Sequence, residues 1–330
     1  MTELLGAPLV FNWTLSYGCN FACSHCYSRD ERCEELDLEG LKRIVDVLAT
    51  HRVPFINFGG GEPLLRRDLF ELTTYAAASG LRVSMNSNGW ALDEAAAQRI
   101  AEAPFQSVGI SLDSADPSVH DGFRAMPGSF ERACRALALL EKAGVKRTMS
   151  SVICRINHER FEDLIDLAQK YGVSTLYLHN FKCSGYGFKN RERLDLSPSE
   201  WRDFYLRALR VQQGLSSPAL AFDDPILASL PGYKQASMVK GSACGKLSLH
   251  LRPNGDITPC GFIPRVIGNI LQDDFERIWH HSPVLAAMRH KVPQGRCGSC
   301  ESFSDCLGGC SARSFAETGD FNRPDPHCWK

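Results

Sequence analysis

Three cysteines lie within eight residues near the start of the chain. Cys19, Cys23 and Cys26 stand in the stretch SYGCNFACSHCYSRDE at the spacing C-x3-C-x2-C. Three thiols are too many for one disulfide and one too few for a closed tetrahedral zinc site. Thiolates are the usual ligands of a 4Fe–4S cluster, and three of them leave one iron open to a small molecule. The alternative is a zinc site completed by His25 or by a distant ligand.

A second set of cysteines occupies the C-terminal part of the chain. Its seven members are Cys244, Cys260, Cys297, Cys300, Cys306, Cys310 and Cys328. Closely spaced cysteines in a reducing compartment indicate metal or redox ligands rather than structural disulfides. The other four of the fourteen cysteines are expected to be buried small residues or inert thiols: Cys33, Cys134, Cys154 and Cys183.

Alternating strand and helix patterns must position the first cysteine set. Apolar runs such as VFNWTL and PFINFGG have strand length, whereas LEGLKRIVDVLA has the spacing of an amphipathic helix. About six such βα units imply an α/β fold with a parallel sheet and helices outside it. We expect a partial (βα)6 TIM-like barrel over residues 10–215, although a flat doubly wound sheet fits the same alternation. Residues 216–242 read as a linker or substrate-lining segment, and residues 243–330 as a cysteine-rich domain.

Motifs after successive strands carry a resemblance to a known family. A C-x3-C-x2-C triplet after the first strand, with His25 just before the last cysteine, resembles the radical S-adenosylmethionine (radical SAM) enzymes. FGGGEP follows the second strand like the family's GGE motif, while NSNG follows the third strand and SLD the fourth. By this resemblance, the residues that hold S-adenosylmethionine are Gly60, Gly61, Glu62, Ser87, Asn88, Ser111 and Arg124.

The chemistry of these residue types suits that role. Glycines let the backbone approach a ligand closely, and the Glu62 carboxylate suits the methionine ammonium. Arg124 resembles the arginine that pairs with the methionine carboxylate. The resemblance implies that a reduced 4Fe–4S cluster on the triplet cleaves S-adenosylmethionine to methionine and a 5′-deoxyadenosyl radical. In the alternative interpretation, Arg124 forms a surface ion pair and Ser87 only caps the next helix.

The C-terminal cysteines resemble a SPASM domain, the auxiliary-cluster module of peptide- and protein-modifying radical SAM enzymes. Their run CGSCESFSDCLGGC follows Gly255 and Cys260, which have four residues between them. The resemblance implies one outer 4Fe–4S cluster on Cys297, Cys300, Cys306 and Cys328, and one inner cluster on Cys244, Cys260 and Cys310. A fourth ligand for the inner cluster could be His250, Cys183, the substrate or nothing. A zinc ribbon is the alternative.

The whole pattern is most similar to the subgroup that matures ribosomally made peptides, including the mycofactocin and pyrroloquinoline quinone maturases. This implies oxidative decarboxylation or crosslinking of a precursor peptide, with a flavodoxin- or ferredoxin-type protein as external electron donor. About ten residues precede the first predicted strand. We therefore expect no fused leader-recognition domain and a separate leader-binding protein that delivers the peptide.

Other functions share parts of this pattern. Enzymes of haem or haem d1 biosynthesis carry the same cluster motifs and act on porphyrin side chains. Sulfatase maturases carry an Asp directly after the second SPASM cysteine, where this chain has Gly261, so they fit less well. A non-catalytic electron carrier would not need the full set of S-adenosylmethionine contacts.

Composition excludes several classes of partner. The formal net charge of −1 offers no electrostatic basis for binding nucleic acid or an anionic membrane. No apolar run approaches the length of a membrane span, and the first residues lack the basic and apolar regions of a signal peptide. We therefore expect a cytoplasmic protein.

Overall fold

A computed structural model describes residues 5–231, 233 and 239–330. Its strands are β1 Val10–Ser16, β2 Phe55–Gly60, β3 Arg82–Ser87, β4 Phe105–Ser111, β5 Arg147–Ile153, β6 Thr175–Asn180, β7 Ala219–Ala221, β8 Ser248–Leu251, β9 Asp256–Thr258 and β10 Gly268–Asn269. Its α-helices are α1 Leu38–Thr50, α2 Leu69–Ala78, α3 Glu94–Glu102, α4 Pro117–Arg124, α5 Ser129–Lys142, α6 Glu162–Lys170, α7 Tyr186–Lys189, α8 Arg191–Leu194, α9 Pro198–Gln213, α10 Phe275–His281, α11 Pro283–Arg289, α12 Phe303–Cys306 and α13 Ser311–Thr318. Short 3-10 helices cover Pro63–Leu65, His158–Arg160, Pro225–Ser229 and Gly295–Ser299.

The order of the strands decides between the two predicted architectures. The described strands form one sheet in the order β10-β9-β8-β1-β2-β3-β4-β5-β6-β7, and β1 to β6 run parallel in chain order. Because each right-handed crossover steps in the same direction, the helices all lie on one face and the sheet curves around the other. A doubly wound sheet would reverse direction after its first strands. The prediction of a partial (βα)6 barrel is confirmed.

Strand residues alternate between the helix-covered face and the inside of the curved sheet. In β1, Phe11, Trp13 and Leu15 are buried, whereas Asn12 between them is exposed. The buried face packs on apolar stripes of the helices, such as Leu41, Ile44, Val45 and Leu48 of α1. This arrangement places the core between sheet and helices, and leaves the strand ends and the inner face for chemistry.

Capping side chains stand at the start of several helices. Asp37 accepts a hydrogen bond from the Gly40 amide at the start of α1, and Ser197 and Glu200 form a capping box at the start of α9.

Among the residues that the structure describes, no helix is both long and apolar enough to cross a lipid bilayer.

The C-terminal part of the chain extends the barrel sheet. Within the predicted linker 216–242, β7 pairs in parallel with β6, while residues 232 and 234–238 of that segment lie outside the described residues. The boundaries of the two domains stay a prediction. Strand β8 pairs in parallel with β1 and forms a hairpin with β9. The second cysteine set is thereby attached to the strand that precedes the first set.

Candidate active site and cluster ligands

The cysteine triplet occupies the loop after β1, at the edge where the parallel strands end. Two predicted S-adenosylmethionine contacts reach its sulfur atoms: the Asn88 side-chain nitrogen lies 4.0 Å from Cys19 Sγ, and an Arg124 nitrogen lies 3.9 Å from Cys23 Sγ. Burial raises the pKa of the Cys23 thiol to about 11. Cys23 would therefore need a bound metal to become a thiolate at neutral pH. The fold brings together the loop after β1, the end of β3 and the end of α4.

Glu62 of the predicted GGE motif is buried and accepts several hydrogen bonds. It is 1% exposed, and its carboxylate accepts hydrogen bonds from Ser87 Oγ at 2.8 Å, the Asn88 amide at 2.7 Å and the Leu64 amide at 3.1 Å. Burial raises its pKa, although these three bonds act in the opposite direction. Glu62 thus positions the end of β3. Its predicted contact with the methionine ammonium stays a prediction.

The glycines of the same motif bring β2 against the triplet loop. The Gly61 amide donates to the Ser16 carbonyl at 2.8 Å, and the Glu62 amide donates to the Gly18 carbonyl at 2.9 Å. A Cβ on Gly61 would lie 1.9 Å from the Gly18 oxygen. Because the oxygen belongs to the backbone and the position of a Cβ is fixed by the backbone that carries it, no rotamer change relieves that overlap. Gly61 is required by the close approach of two chain segments.

Substituting Gly61 by Ala should therefore damage the site, whereas the same change two residues earlier should not. A Cβ on Gly59 meets no atom within 4 Å. We expect Gly61→Ala to displace the triplet loop and lower the rate of S-adenosylmethionine cleavage by about 100-fold, as misplacements of about 1 Å can do. Cleavage is measured as 5′-deoxyadenosine formed under dithionite without substrate. Equal rates in Gly59→Ala and Gly61→Ala would contradict this role.

Arg124 is buried and paired, and is not part of a surface ion pair. Its Nε donates to Asp113 Oδ2 at 2.6 Å, and the two residues are 8% and 1% exposed. Burial by itself lowers the pKa of Arg124, but the Asp113 carboxylate holds that pKa above its ordinary value. Burial raises the pKa of Asp113, but Arg124, His25 and His120 together more than offset this effect, so that the pKa lies below its ordinary value. Asp113 follows Ser111, the last residue of β4, and was missed as a functional residue although the SLD motif contains it.

The contacts given for the His25 ring are with residues other than the three cysteines. Its ring stacks on Phe123 of α4 with centroids 4.3 Å apart, and the charged and titratable groups around it are Arg124, Asp113 and His120. Burial lowers its pKa to about 3, with Arg124 acting in the same direction. These contacts favour a packing role for His25 over completion of a zinc site.

The four cysteines of the predicted outer cluster converge on one cavity. Cys297, Cys300, Cys306 and Cys328 line it, together with Ile226, Ser229, Phe303, Gly308, Gly309 and Asp325. Two of these residues belong to the 3-10 helix Pro225–Ser229, so the predicted linker supplies one wall of the cavity. Residues from distant parts of the sequence thus line one cavity. A cluster on the four thiolates requires its ligands to converge in this way.

The three cysteines of the predicted inner cluster also meet. Cys244 and Cys260 are hydrogen-bonded, which holds the pKa of Cys244 below its usual range and raises that of Cys260. Burial raises the pKa of Cys310, and the Arg313 guanidinium and then the Lys182 ammonium partly offset this effect. Lys182 also lowers the pKa of Cys244. The half-buried Lys182 is thus a charged neighbour of two of the three predicted inner ligands.

Neither protein candidate for the fourth inner ligand is free in this structure. Both ring nitrogens of His250 are held, by Thr14 Oγ1 at 2.9 Å and Thr258 Oγ1 at 3.0 Å. Cys183 Sγ donates to Asp195 at 3.4 Å. Either side chain would have to give up these bonds to bind a cluster, whereas the substrate or an open position requires no such change; the fourth ligand stays a prediction.

Buried polar atoms without partners test whether iron–sulfur clusters fit these sites. Of nine such side-chain atoms among the described residues, five belong to residues next to a predicted ligand or in the wall of the four-cysteine cavity: Asn20, His25, Ser229, Ser311 and His327. Native proteins rarely leave buried polar groups unpaired, so a missing ion or group is expected beside Ser229, which lines the four-cysteine cavity. Among the same residues, no three His, Cys, Asp or Glu side chains surround one metal ion. A cubane cluster does not require that, because each thiolate binds a different iron. The residues fit clusters.

Comparisons with known proteins agree with the two cysteine sets. The Radical SAM superfamily profile matches residues 13–170, and the profile of the SPASM iron–sulfur cluster-binding domain matches residues 244–306. A radical SAM domain implies a 4Fe–4S cluster that is used with S-adenosylmethionine, and a SPASM domain implies auxiliary iron–sulfur clusters. The division of individual cysteines and S-adenosylmethionine contacts among these sites is our prediction.

Individual relatives cover nearly the whole chain. The mycofactocin maturase MftC of Mycolicibacterium smegmatis is 34% identical over 98% of this chain and 83% of its own length. The AdoMet-dependent heme synthase of Methanosarcina barkeri is 29% identical over 99% of this chain and 98% of its own length. The structure of Streptococcus suis SuiB bound to S-adenosylmethionine shares the fold, with a TM-score of 0.83 at 17% identity over 99% of this chain and 78% of that chain. The chain belongs to the radical SAM enzymes with a SPASM domain, the family that includes the mycofactocin maturases.

Proposed function

We propose that this enzyme modifies a ribosomally made peptide, by oxidative decarboxylation or by forming a crosslink. The inner face of the barrel carries this proposal. Its half-buried or exposed residues on β1 to β6 are mostly polar: Asn12, Asn57, Ser84, Ser107, Ser150, Tyr177 and His179. Val10, Phe55 and Val152 are apolar members of the same face.

Direct contacts show that these polar side chains share one surface. The Asn57 amide donates to Asn12 Oδ1 at 3.4 Å, and the hydroxyls of Ser84 and Ser107 lie 3.2 Å apart. The Tyr177 ring stacks parallel to His179 at 5.9 Å. A peptide that enters such a space finds hydrogen-bond partners for its backbone amides and carbonyls, which must be paired when water is removed.

A porphyrin would instead need a broad apolar slot with basic groups for its carboxylates. Two of the basic residues near the barrel end are already engaged on the surface: Lys189 pairs with Asp30 at 2.9 Å and Arg191 with Glu317 at 3.1 Å. The position of Lys182 favours a porphyrin as the second candidate substrate. It is a cation beside an aromatic ring, with its ammonium 5.0 Å from the centre of the Phe262 ring.

The chain's own residues would hold the reactants in place. When bound, the triplet cluster and S-adenosylmethionine supply an electron and a 5′-deoxyadenosyl radical. Asp113 fixes Arg124 at the end of α4, where its guanidinium can meet a carboxylate. Glu62 fixes Ser87 and Asn88 at the end of β3. These buried contacts preorganise the site before the substrate arrives.

Partners and location complete the proposal. MftC is named as a maturase, and SuiB has been crystallised with its precursor peptide SuiA. For this chain we propose a precursor peptide delivered by a separate leader-binding protein, and a flavodoxin- or ferredoxin-type electron donor. A cytoplasmic location is supported by its fourteen free cysteines, all among the described residues.

The experiment that tests this function compares two kinds of substrate. Anaerobically reconstituted enzyme receives short precursor peptides encoded beside its gene, each with its candidate binding protein, or iron coproporphyrin alone. The readouts are 5′-deoxyadenosine formation and the mass change of each substrate. We expect a peptide with its binding protein to raise 5′-deoxyadenosine formation and to change mass. Stimulation by the porphyrin with loss of carbon dioxide, and none with any peptide, would overturn the proposal.

A further inference from the structure

Lys291 presents a buried cation without a partner. It lies two residues after α11, and its Nζ has no hydrogen-bond acceptor among the described residues although the atom is shielded from water. Burying an ammonium is strongly unfavourable unless an anion faces it. The buried position of this ammonium therefore points to an anionic group that the described residues do not supply.

The groups around Lys291 identify where that anion would be. Its charged and titratable neighbours are Cys310, Asp325, Cys306 and Cys297. Asp325 already accepts bonds from the Arg313 guanidinium, at 2.8 and 2.5 Å, and from the Cys310 amide at 2.7 Å. The remaining neighbours are predicted cluster ligands, two of the outer cluster and one of the inner.

Two further cations, Lys246 and Arg289, add positive charge to the surroundings of Lys291. Lys246 Nζ donates to the Lys240 carbonyl at 2.8 Å, and Arg289 donates to the Gly245 carbonyl at 2.7 Å. Within the described part of the chain, neither these two residues nor Lys291 has an acidic partner within ion-pair distance. Burial, then Lys291 and Arg289, lower the pKa of Lys246 to about 8. These cations repel one another, and an anion among them would offset that repulsion.

We infer that the Lys291 ammonium would be a charge partner shared by the two auxiliary clusters, to whose sulfur atoms it would donate hydrogen bonds. The inference rests on the proposed ligand sets but not on the identity of the substrate. Cluster net charge and hydrogen bonds to sulfur set the reduction potential. Because the reduced cluster is the more negative form, a nearby cation stabilises it and makes reduction easier.

The test is a redox titration of the full-length reconstituted enzyme, followed by electron paramagnetic resonance. Lys291→Met removes the charge at similar length, and Lys291→Arg keeps it. Lys170→Met is the matched control, because Lys170 is exposed at the end of α6 and its ammonium lies over the Tyr171 ring. We expect the auxiliary potentials to become more negative in Lys291→Met alone. The potential of the triplet cluster should be unchanged in all three variants.

Each other result has a defined meaning. Iron content is measured first, and wild-type enzyme without auxiliary iron would overturn both the ligand sets and the role of Lys291. Full iron content with unchanged auxiliary potentials in Lys291→Met would overturn the role of Lys291 only. Equal shifts in Lys291→Met and Lys291→Arg would overturn it too, since size rather than charge would be responsible. If Lys291→Met cannot hold its clusters, Lys291→Gln is titrated against the same expectations.

Discussion

Replacing Cys19, Cys23 and Cys26 together by Ala is expected to remove about four of about twelve iron atoms and to abolish S-adenosylmethionine cleavage. The three thiols lie in the loop after β1. The predicted auxiliary ligands belong to a separate part of the chain, residues 244–328. The auxiliary clusters should therefore still assemble. Iron analysis and 5′-deoxyadenosine formation measure the two effects.

Cys33→Ala is the control for that experiment. Cys33 lies in the same connection between β1 and α1, but its charged and titratable neighbours include Glu35, Arg252 and Asp256 and no predicted ligand. It should keep full iron content and full cleavage activity. Stoichiometric zinc in the wild-type protein, or cleavage that survives in the triple variant, would refute the assignment of the triplet.

Arg313→Met is expected to lower the free energy of unfolding by about 3–5 kcal/mol, the usual cost of leaving buried charges without their partner. Arg313 of α13 is buried between two carboxylates, with its guanidinium 2.7 Å from Asp224 and 2.5 Å from Asp325. Asp224 precedes the helix Pro225–Ser229 and also accepts bonds from Tyr205 at 2.6 Å and from Asn180. Losing the cation would leave two buried carboxylates unpaired across the contact between the barrel and the C-terminal segment.

Thermal unfolding of the reconstituted protein measures this loss. Arg135→Met is the matched control, because the Arg135–Glu94 pair is exposed on the surface and such pairs contribute at most about 1 kcal/mol. If the two variants unfold at the same temperature, the buried triad does not hold the two parts together. Reduced auxiliary iron in Arg313→Met would agree with the prediction, because Asp325 also holds the Cys310 amide.

Most of the barrel could be predicted from local patterns. The strand and helix runs from VFNWTL to STLYLHN correspond to β1–β3 with α1–α3, and to β4–β6 with α5 and α6. Their periodicity reflects which side of each element meets the core, and that is encoded in neighbouring residues. Helices α4 and α9 were not predicted, and β7 lay in the predicted linker. The three residues of β7 form a strand because they pair with β6, a contact outside their own sequence.

The same division holds for the site. Residue type and close spacing indicated the triplet and the CGSC run as ligand sets, because thiolate chemistry depends on identity and number. The sequence could not show that Asp113 pairs with Arg124, that Glu62 is occupied by Ser87 and Asn88, or that His250 is held between two threonines. Sequence also left Ser229 and Lys291 unnoticed, since one serine or lysine carries no pattern.

The sequence by itself determined the chemistry of this protein: which groups can bind iron, how many there are, and that a parallel sheet of βα units presents the first set after its first strand. Only the tertiary structure decided which donors meet. Arg124 reaches Cys23 across 101 positions and Thr14 reaches His250 across 236. Such contacts depend on strand order and on the parallel pairing of β8 with β1. Local propensity does not contain them, because they arise when distant elements bury their apolar faces against one another.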